Sequence, residues 1–282
     1  MKLVTSSILL TSIFFSFTGC TEEQLNMTLD SITNVAKASK ELNSEQEYYL
    51  GRTVSANILT RYSLNKNKQA TSYINYIGNT LALNSNMPET FGGYHFAILD
   101  TNEVNAFAAP GGFIFVTRGM LKLCRSEDAL AAVLAHEIGH IEHKHGINSI
   151  QKSRITSALS LIGKKVADEY GNEDLKEITD EFGDSINDII NTMVVKGYSR
   201  SSEYEADISA IRLLAKTGYS QNSMIGMLKE MDKRLKNDSA GFGSTHPTAK
   251  DRIDNLMPYV NNKNNKVTSY RNKRFNQYMG TL

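Results

Sequence analysis

The sequence predicts an α+β fold that is mainly α-helical and contains one small sheet. Apolar residues recur at helical spacing before residue 84 and again after residue 125, whereas three short apolar runs between residues 94 and 116 have the character of strands. Pro110-Gly111-Gly112 separates the last two runs and is a typical turn sequence, so this pair is predicted to be antiparallel. The chain has 282 residues, of which 40% are hydrophobic, enough for a packed core.

The first 43 residues differ in character from the rest. Lys2 precedes an uncharged apolar run from Leu3 to Phe17, and Gly19-Cys20 follows. A charged start, a short apolar core and small residues at its exit are typical of a secretory signal. The Gly-Cys ending resembles a bacterial lipoprotein signal, which implies removal of residues 1–19, lipidation of Cys20 and a tether over residues 20–43. The alternative is an ordinary signal peptide with an incidental cysteine.

The charge balance argues against nucleic acid as a partner. Removal of residues 1–19 takes away Lys2 alone, which leaves 30 basic residues against 30 acidic ones. A chain without net charge gives no electrostatic reason to bind nucleic acid. The membrane, reached through a lipidated Cys20, is an expected partner. The resemblance to a lipoprotein signal, with Thr21 after the cysteine, implies retention at the outer membrane and a domain that faces the periplasm. The sequence predicts no oligomeric state.

The remaining elements are predicted in chain order. Ser44 with Glu45 and Glu47 has the form of a helix start, and a second helix is expected from Lys68 to Leu83. Further helices are expected over 148–197, 200–217, 221–235 and 247–256, with strands at 94–99, 105–109 and 112–116. The acidic segment 164–188 is interpreted as a solvated face that could also cover a cleft. The basic segment 261–282 is interpreted as a solvated tail, with lipid or partner contact as the second interpretation.

His136-Glu137-Ile138-Gly139-His140 lies in an alanine-rich apolar run that predicts a buried helix. Residues four apart share one face of a helix, so both histidines can reach one metal ion. Glu137 lies beside that face and can act on a water held there. The pattern is typical of zinc hydrolases, in which it supplies two ligands and a general base. The helix is expected to end near His145, with Gly146 as its left-handed cap.

A third ligand has to come from elsewhere in the chain. The metzincin pattern requires glycine at position 143 and histidine at position 146, whereas this chain has His143 and Gly146. His143 lies too far along the helix axis to share a metal with the first two histidines. His145 is predicted to face the opposite side of the helix, so neither histidine is expected to be a ligand.

Glu203 on a later predicted helix is the preferred third ligand. Asp207 follows four residues later on the same face and could accept the N–H of a ligating histidine. Glu205 points about half a turn away and is expected to face solvent. Without the histidine pair, an acidic surface helix would be the simpler interpretation.

These segments resemble the zinc metallopeptidase family that includes HtpX, the CAAX prenyl proteases and the Oma-type mitochondrial proteases. The matching segments are 105–112, 136–140, 203–207 and 244–247 followed by Arg252-Ile253, in the order of the family. The resemblance implies a zincin-like (gluzincin) metallopeptidase domain over residues 44–260, with the small sheet beside the active-site helix. It also implies one zinc ion per chain, held by the residues His136, His140 and Glu203.

The same resemblance assigns further roles. Glu137 would be the general base, and Asp207 would orient a ligating histidine. His246 matches a family histidine near the metal, which could stabilise the oxyanion or occupy the fourth zinc position in a resting state; an ordinary helix-start residue is the alternative. The substrate-aligning edge would consist of Asn105, Ala106, Phe107 and Ala108, along which a peptide could add as an extra strand.

The chain is most similar to the periplasmic lipoprotein members of that family. This similarity implies a zinc-dependent endopeptidase of the bacterial cell envelope that acts on unfolded or misassembled envelope proteins. One alternative is a latent protease that serves mainly as a chaperone-like assembly lipoprotein. A zinc hydrolase acting on a non-peptide bond is a third possibility, against which the substrate-aligning strand argues.

Overall fold

A computed structural model describes residues 42–149, 187, 189–235, 248–261, 269–280 and 282. The signal peptide, Cys20 and most of the tether lie outside the described residues. His246 and all but residue 187 of the acidic segment 164–188 lie outside them as well.

Helices dominate the described part of the chain, as the sequence predicts. They are α1 (Ser44–Arg61), α2 (Lys68–Ala82), α3 (Arg118–Leu123), α4 (Glu127–Glu142), α5 (His145–Asn148), α6 (Arg200–Thr217), α7 (Asn222–Leu235), α8 (Ala249–Leu256) and α9 (Ser269–Met279). Side chains cap several of these helices: the Ser126 hydroxyl accepts a hydrogen bond from the Ala129 N–H at the start of α4, and Ser199 accepts one from Ser202 at the start of α6. Such caps satisfy backbone donors that the first turn leaves unpaired.

The sheet has three strands, β1 (His95–Leu99), β2 (Ala106–Ala109) and β3 (Phe113–Thr117), in the spatial order β1-β3-β2. β1 runs parallel to β3, whereas β2 runs antiparallel to it with Phe107 opposite Phe115. A 3-10 turn at Pro110–Gly112 joins β2 to β3, and Gly111 adopts the left-handed region there with φ of 73°. The mixed sheet therefore leaves β2 at an edge.

Helix α4 forms the centre of the core and packs most extensively against α6. Its fully buried apolar residues are Leu130, Ala131, Ala132, Leu134, Ala135 and Ile138. Gly139 lies where the two helices touch, and a Cβ atom placed on it would come within 2.8 Å of the Ala206 carbonyl oxygen. A glycine at this position therefore allows the two backbones to approach more closely than a side chain would permit.

The prediction of a solvated tail over 261–282 is wrong for residues 269–279, which form α9 and pack on the core. Phe275 and Met279, four residues apart, are both buried. Arg274 donates hydrogen bonds to both carboxylate oxygens of Glu127, and Arg271 donates one to Asp128. Two of the basic residues that suggested a solvated tail, Arg271 and Arg274, are thus counterions of two acids buried in the first turn of α4.

Glu127 receives further hydrogen bonds from two tyrosine hydroxyls, at 2.6 Å from Tyr73 and 3.0 Å from Tyr219. Burial alone would raise the pKa of Glu127. The guanidinium of Arg274 and the two hydroxyls outweigh this effect and hold the pKa below its usual range. Glu127 is therefore a buried, fully hydrogen-bonded carboxylate that ties α9, α2 and α4 together.

We expect Gly139→Ala to lower the free energy of unfolding by about 1–3 kcal/mol through overpacking, offset in part by the roughly 1 kcal/mol that alanine adds to helix propensity. Gly226→Ala in α7 is the matched control, because a Cβ atom there meets no other atom within 4 Å. Gly226→Ala should stabilise the protein by about 0.5–1 kcal/mol. Urea denaturation measures both variants, and equal stabilities would contradict the tight contact between α4 and α6.

We expect Arg274→Ala to destabilise the protein by about 1–3 kcal/mol at pH 7, because it leaves a buried carboxylate short of its charged partner. The pKa of Glu127 is lower in the folded protein than in the unfolded chain. The ion pair of Glu127 with Arg274 therefore stabilises the protein fully above the unfolded-state pKa, and this stabilisation is lost as the pH falls through the folded-state pKa. Lys273→Ala removes an equal charge from an exposed position of the same helix and should have little effect. Thermal denaturation at pH 7 and at pH 4 tests this, and equal effects of the two variants would refute it.

Candidate metal centre

Two histidines of α4 and one glutamate of α6 converge at the contact between these helices. His136 Nε2 lies 3.1 Å from His140 Nε2. The Glu203 carboxylate oxygens lie 3.6 Å and 3.5 Å from these two nitrogens. All three side chains are buried. The structure thus brings together the three residues that the sequence analysis proposed as ligands, from segments more than 60 residues apart.

This donor set fits a metal ion. Ligand atoms that share one tetrahedral zinc ion at 2.0–2.1 Å lie about 3.4 Å from one another, and the three separations here bracket that value. Two imidazoles and a carboxylate are also the donor types that zinc prefers. His136, His140 and Glu203 would therefore hold one divalent metal ion without rearrangement of the helices.

Asp207 supports the centre from behind. Its Oδ1 lies 2.9 Å from His136 Nδ1, the ring nitrogen that faces away from His140 and Glu203. A carboxylate in this position fixes both the tautomer and the orientation of the imidazole. The geometry is that expected of a residue that orients a ligating histidine.

Arg252 of α8 pairs with two acids of this buried cluster. Its guanidinium binds both carboxylate oxygens of Asp207, at 2.6 and 2.8 Å, and its Nη1 lies 3.4 Å from Glu203. Burial alone would raise the pKa of Asp207, but Arg252 and His136 hold it below its usual range. In the sequence, Arg252 stands out only as part of a matching segment, without a predicted role. An arginine inside an otherwise amphipathic helix gives no local signal of burial, because its partners lie far away in the sequence.

Glu137 lies next to the ligand face of α4 and is 3% exposed. Burial raises the pKa of its carboxyl to about 7 and the charge of Glu203 adds to this, whereas His136 and Arg252 oppose the shift. A bound cation would lower this pKa. A carboxyl that exchanges its proton near neutral pH has the property that a general base requires.

The predicted end of the metal helix is wrong, and His145 therefore lies at a different position from the one expected. Helix α4 ends at Glu142, and Lys144, not Gly146, adopts the left-handed conformation, with φ of 53°. The chain therefore turns back, and His145 Nδ1 lies 2.9 Å from His140 Nδ1 instead of facing away. Its other nitrogen, Nε2, contacts Glu205 at 3.0 Å. Glu205 is exposed, as expected, but takes part in this chain of contacts through one oxygen.

Tyr198 completes the surroundings of the metal ligands. Its ring stacks on the His140 ring with centroids 4.3 Å apart and an interplanar angle of 25°. No sequence motif predicts a role for Tyr198. Its position two residues before α6 carries no distinguishing pattern, so only the fold reveals the contact.

The proposed substrate-aligning strand lies beside the metal helix, although its side chains are buried. Asn105, Ala106, Phe107 and Ala108 are at most 5% exposed. The Thr117 N–H donates to the Asn105 carbonyl, so the alternation of an antiparallel pair directs the main chain of Ala106 and Ala108 away from β3. The Asn105 side chain already accepts the Ala106 N–H at 3.0 Å, and the π-helical turn Asn191–Lys196 lies alongside β2.

A small apolar cavity, with room for about one water molecule, adjoins His136 and Glu137. Its apolar lining consists of Met120, Val133, Met224, Met227 and Met231. Methionine side chains are flexible and polarisable, so such a cavity adapts to apolar groups of different shapes. His246, predicted to act beside the metal, lies outside the described residues.

Comparison with known proteins agrees with this arrangement. Residues 68–260 match the model of Peptidase family M48. Over 158 residues the chain is 32% identical to the mitochondrial metalloendopeptidase OMA1 of Schizosaccharomyces pombe, a match that covers 55% of this chain and 43% of that protein. It is 30% identical over 225 residues to the putative beta-barrel assembly-enhancing protease of Vibrio cholerae, covering 77% of this chain and 44% of that one.

The beta-barrel assembly-enhancing protease of Escherichia coli is 24% identical over 189 residues, covering 65% of this chain and 37% of that protein. The chain thus spans less than half the length of these relatives.

Among the residues that the structure describes, no helix is long and apolar enough to cross a membrane. The family match covers most of the chain and includes α4, α6 and α8, the helices that carry the metal centre and Arg252. The chain therefore belongs to peptidase family M48.

Proposed function

We propose that the protein is a zinc-dependent endopeptidase that hydrolyses peptide bonds in unfolded or misassembled proteins of a bacterial cell envelope. The observation that carries the proposal is the convergence of His136, His140 and Glu203 at tetrahedral spacing, with Glu137 beside them. The membership of family M48 supports the reaction class. Zinc is the preferred metal because the donors are two imidazoles and one carboxylate.

The reaction follows from the positions of the chain's own groups. A zinc ion, when bound, would supply a Lewis acid and lower the pKa of a nearby water to about 7. Glu137 takes the proton of the attacking water and transfers it to the nitrogen of the leaving amine. Asp207 holds His136 in one tautomer, and Arg252 keeps Asp207 ionised.

The surroundings of the metal centre suggest how a polypeptide is held. An extended peptide could pair with the main chain of Ala106 and Ala108, which requires no particular side-chain sequence. The turn Asn191–Lys196 lies beside this edge and would have to accommodate the peptide. The small cavity lined by methionines lies next to Glu137 and would receive an apolar side chain only after the flexible methionines move aside. This combination suits exposed apolar segments, which are abundant in unfolded proteins and buried in folded ones.

The proposed location rests on the N-terminal sequence and on the relatives. The signal ending at Gly19-Cys20 supports a lipid anchor at Cys20 and a domain that faces the periplasm. The resemblance of this signal to those of bacterial lipoproteins, with Thr21 after the cysteine, supports the outer membrane as the place of the anchor. The names of the bacterial relatives refer to β-barrel assembly, which supports a role in envelope protein quality control. The OMA1 relatives are mitochondrial, so this support comes from the bacterial matches and the signal sequence.

We expect Glu137→Gln to reduce cleavage of unfolded casein by about 10²–10⁴-fold, the usual contribution of a general base. The bound zinc should stay near one ion per chain, because glutamine leaves the three ligands in place. Glu89→Gln, an exposed substitution of the same kind, is the control and should cleave normally. Retained cleavage in Glu137→Gln would refute the assignment of the base.

The same variant separates the peptidase from a chaperone-like lipoprotein whose protease is latent. A peptidase role requires that cells carrying Glu137→Gln accumulate the proteins that wild-type cells degrade. If the variant supports envelope assembly as well as the wild type does, the chaperone-like role is the main one.

We expect a clickable fatty acid fed to cells to label the wild-type protein and Cys124→Ala but not Cys20→Ala. Cys124 is buried, so it is not available for lipidation and serves as the matched control. Gel fluorescence after click reaction measures the label. A labelled Cys20→Ala protein would show that Cys20 is not the anchor.

A further inference from the structure

His145 links the proposed ligand His140 to an acid at the protein surface. The Nδ1 atoms of His140 and His145 lie 2.9 Å apart, and His145 Nε2 lies 3.0 Å from Glu205 Oε2. The His145 side chain is 4% exposed, whereas that of Glu205 is 55% exposed. A buried imidazole thus stands between a metal ligand and a solvated carboxylate, and each of its nitrogens contacts one of them.

The position of the metal site fixes the direction of the first hydrogen bond. His140 Nε2 lies 3.1 Å from His136 Nε2 and 3.5 Å from Glu203 Oε1, so this nitrogen is the one that faces a metal ion. A neutral imidazole that leaves Nε2 without a proton carries its proton on Nδ1. The His140 Nδ1–H therefore donates to His145, whose Nδ1 accepts.

The second hydrogen bond follows from the first. A neutral His145 that accepts at Nδ1 carries its proton on Nε2, and this N–H points to a Glu205 oxygen. An ionised carboxylate can only accept, so the direction of this contact agrees with that of the first one. The hydrogen-bond network thus assigns one tautomer to each histidine.

The two ligand histidines are oriented by different means. Asp207, which is buried, contacts His136 directly. At His140 the corresponding partner is the neutral ring of His145, and the charge of Glu205 stays at the exposed surface. Buried charges are costly unless they are paired. An imidazole in this position supplies the acceptor without adding another charge to the buried centre.

The backbone before His145 gives a second, independent observation. Lys144 has φ of 53° and, within the described ranges, is the only non-glycine residue with a positive φ. This conformation is unfavourable for lysine, and strained backbone of this kind is concentrated at functional sites. The reversal at Lys144 is what returns the His145 ring to His140.

We propose that His145 is a positioning residue that holds His140 in the tautomer that ligates a metal through Nε2, and that Glu205 holds His145 in the matching tautomer. The proposal rests on the proposed zinc peptidase function and deepens it. Partners that accept a hydrogen bond from a ligating histidine fix its ring and raise its basicity, and their loss typically weakens metal binding by about 10–100-fold.

A second metal site is the rival explanation of these residues. Ligand atoms of His143, His145 and Glu205 lie within 4.8 Å of one another. These side chains already have partners in the protein, however, because His143 Nε2 contacts Ser209 Oγ at 3.0 Å and both nitrogens of His145 are in contact. The number of zinc ions bound per chain distinguishes the two explanations.

The test compares His145→Leu with His145→Asn in the full-length protein, through the Kd for zinc measured by competition with a chromogenic chelator. Leucine fills the buried space but accepts no hydrogen bond, so the Kd should rise about 10–100-fold. Asparagine fills the space less well but keeps an acceptor oxygen near the position of Nδ1, so the Kd should stay within about threefold. A residue that only filled space would give the opposite order.

Glu205→Ala changes an exposed residue, so it decides the matter if the buried variants fail to fold. Its Kd for zinc should rise, though less than that of His145→Leu, because water can replace the lost carboxylate. His143→Leu is the matched control: it removes the neighbouring imidazole and should leave the Kd unchanged. Nitrogen NMR of the zinc-loaded wild type should show the His145 proton on Nε2.

Four results would overturn the proposal: a His145 proton on Nδ1, a wild-type Kd in His145→Leu, a Kd in His145→Asn as high as in His145→Leu, or an unchanged Kd in Glu205→Ala. Two zinc ions per wild-type chain, one of them lost in His143→Leu, would also overturn it in favour of a second metal site. None of these results affects the peptidase function, which the Glu137→Gln variant tests separately. A wild-type protein that binds no zinc overturns the proposed function and this proposal together.

Discussion

The close contact between α4 and α6 is the constraint on which the centre depends. Neither helix alone can hold a metal ion, because the two histidines lie on one helix and the glutamate on the other. Gly139 lets the helix backbones approach until Ala206 is in contact, and this approach sets the separation of Glu203 from His136 and His140. Gly139, which directly precedes His140, thus sets the distance between the helices that the three proposed ligands require.

Electrostatics adds a second constraint. Glu137, Glu203 and Asp207 are buried together, and Arg252 is the only guanidinium or ammonium group placed against them within the described residues. Buried charges are costly unless they are paired. Arg252 offsets one of the negative charges of Glu203 and Asp207, and a divalent cation held by His136, His140 and Glu203 would offset the rest. The donor set and the charge balance therefore indicate the same kind of ion.

The parts of the centre that could be predicted from the sequence are those that depend on spacing within one helix. His136 with His140, and Glu203 with Asp207, are each four residues apart, and helical geometry alone puts each pair on one face. The fold class is equally accessible, because hydrophobic periodicity distinguishes the helices from the three strands. Spacing cannot say that the two pairs meet, and the resemblance to a metallopeptidase family supplies that link.

The parts that could not be predicted depend on contacts between distant segments. Arg252 becomes a counterion because α8 packs on α6. Helix α9 packs on the core through Phe275, Met279 and the pairing of Arg274 with Glu127. His145 joins the centre because the chain reverses at Lys144, a residue type that rarely adopts the left-handed conformation. Local sequence patterns carry no information about such partners.

The distance along the chain between the two halves of the centre has a consequence for biogenesis. Glu142 at the end of α4 and Arg200 at the start of α6 are 58 positions apart, so the centre forms only when a long stretch of chain has been closed. Closing such a stretch costs entropy, which only the completed helix contact recovers. A chain in which α6 has not yet packed on α4 holds its histidines without their glutamate. The catalytic power of the protein is thereby withheld until its own folding is complete, and the order of the segments along the chain is what imposes the delay.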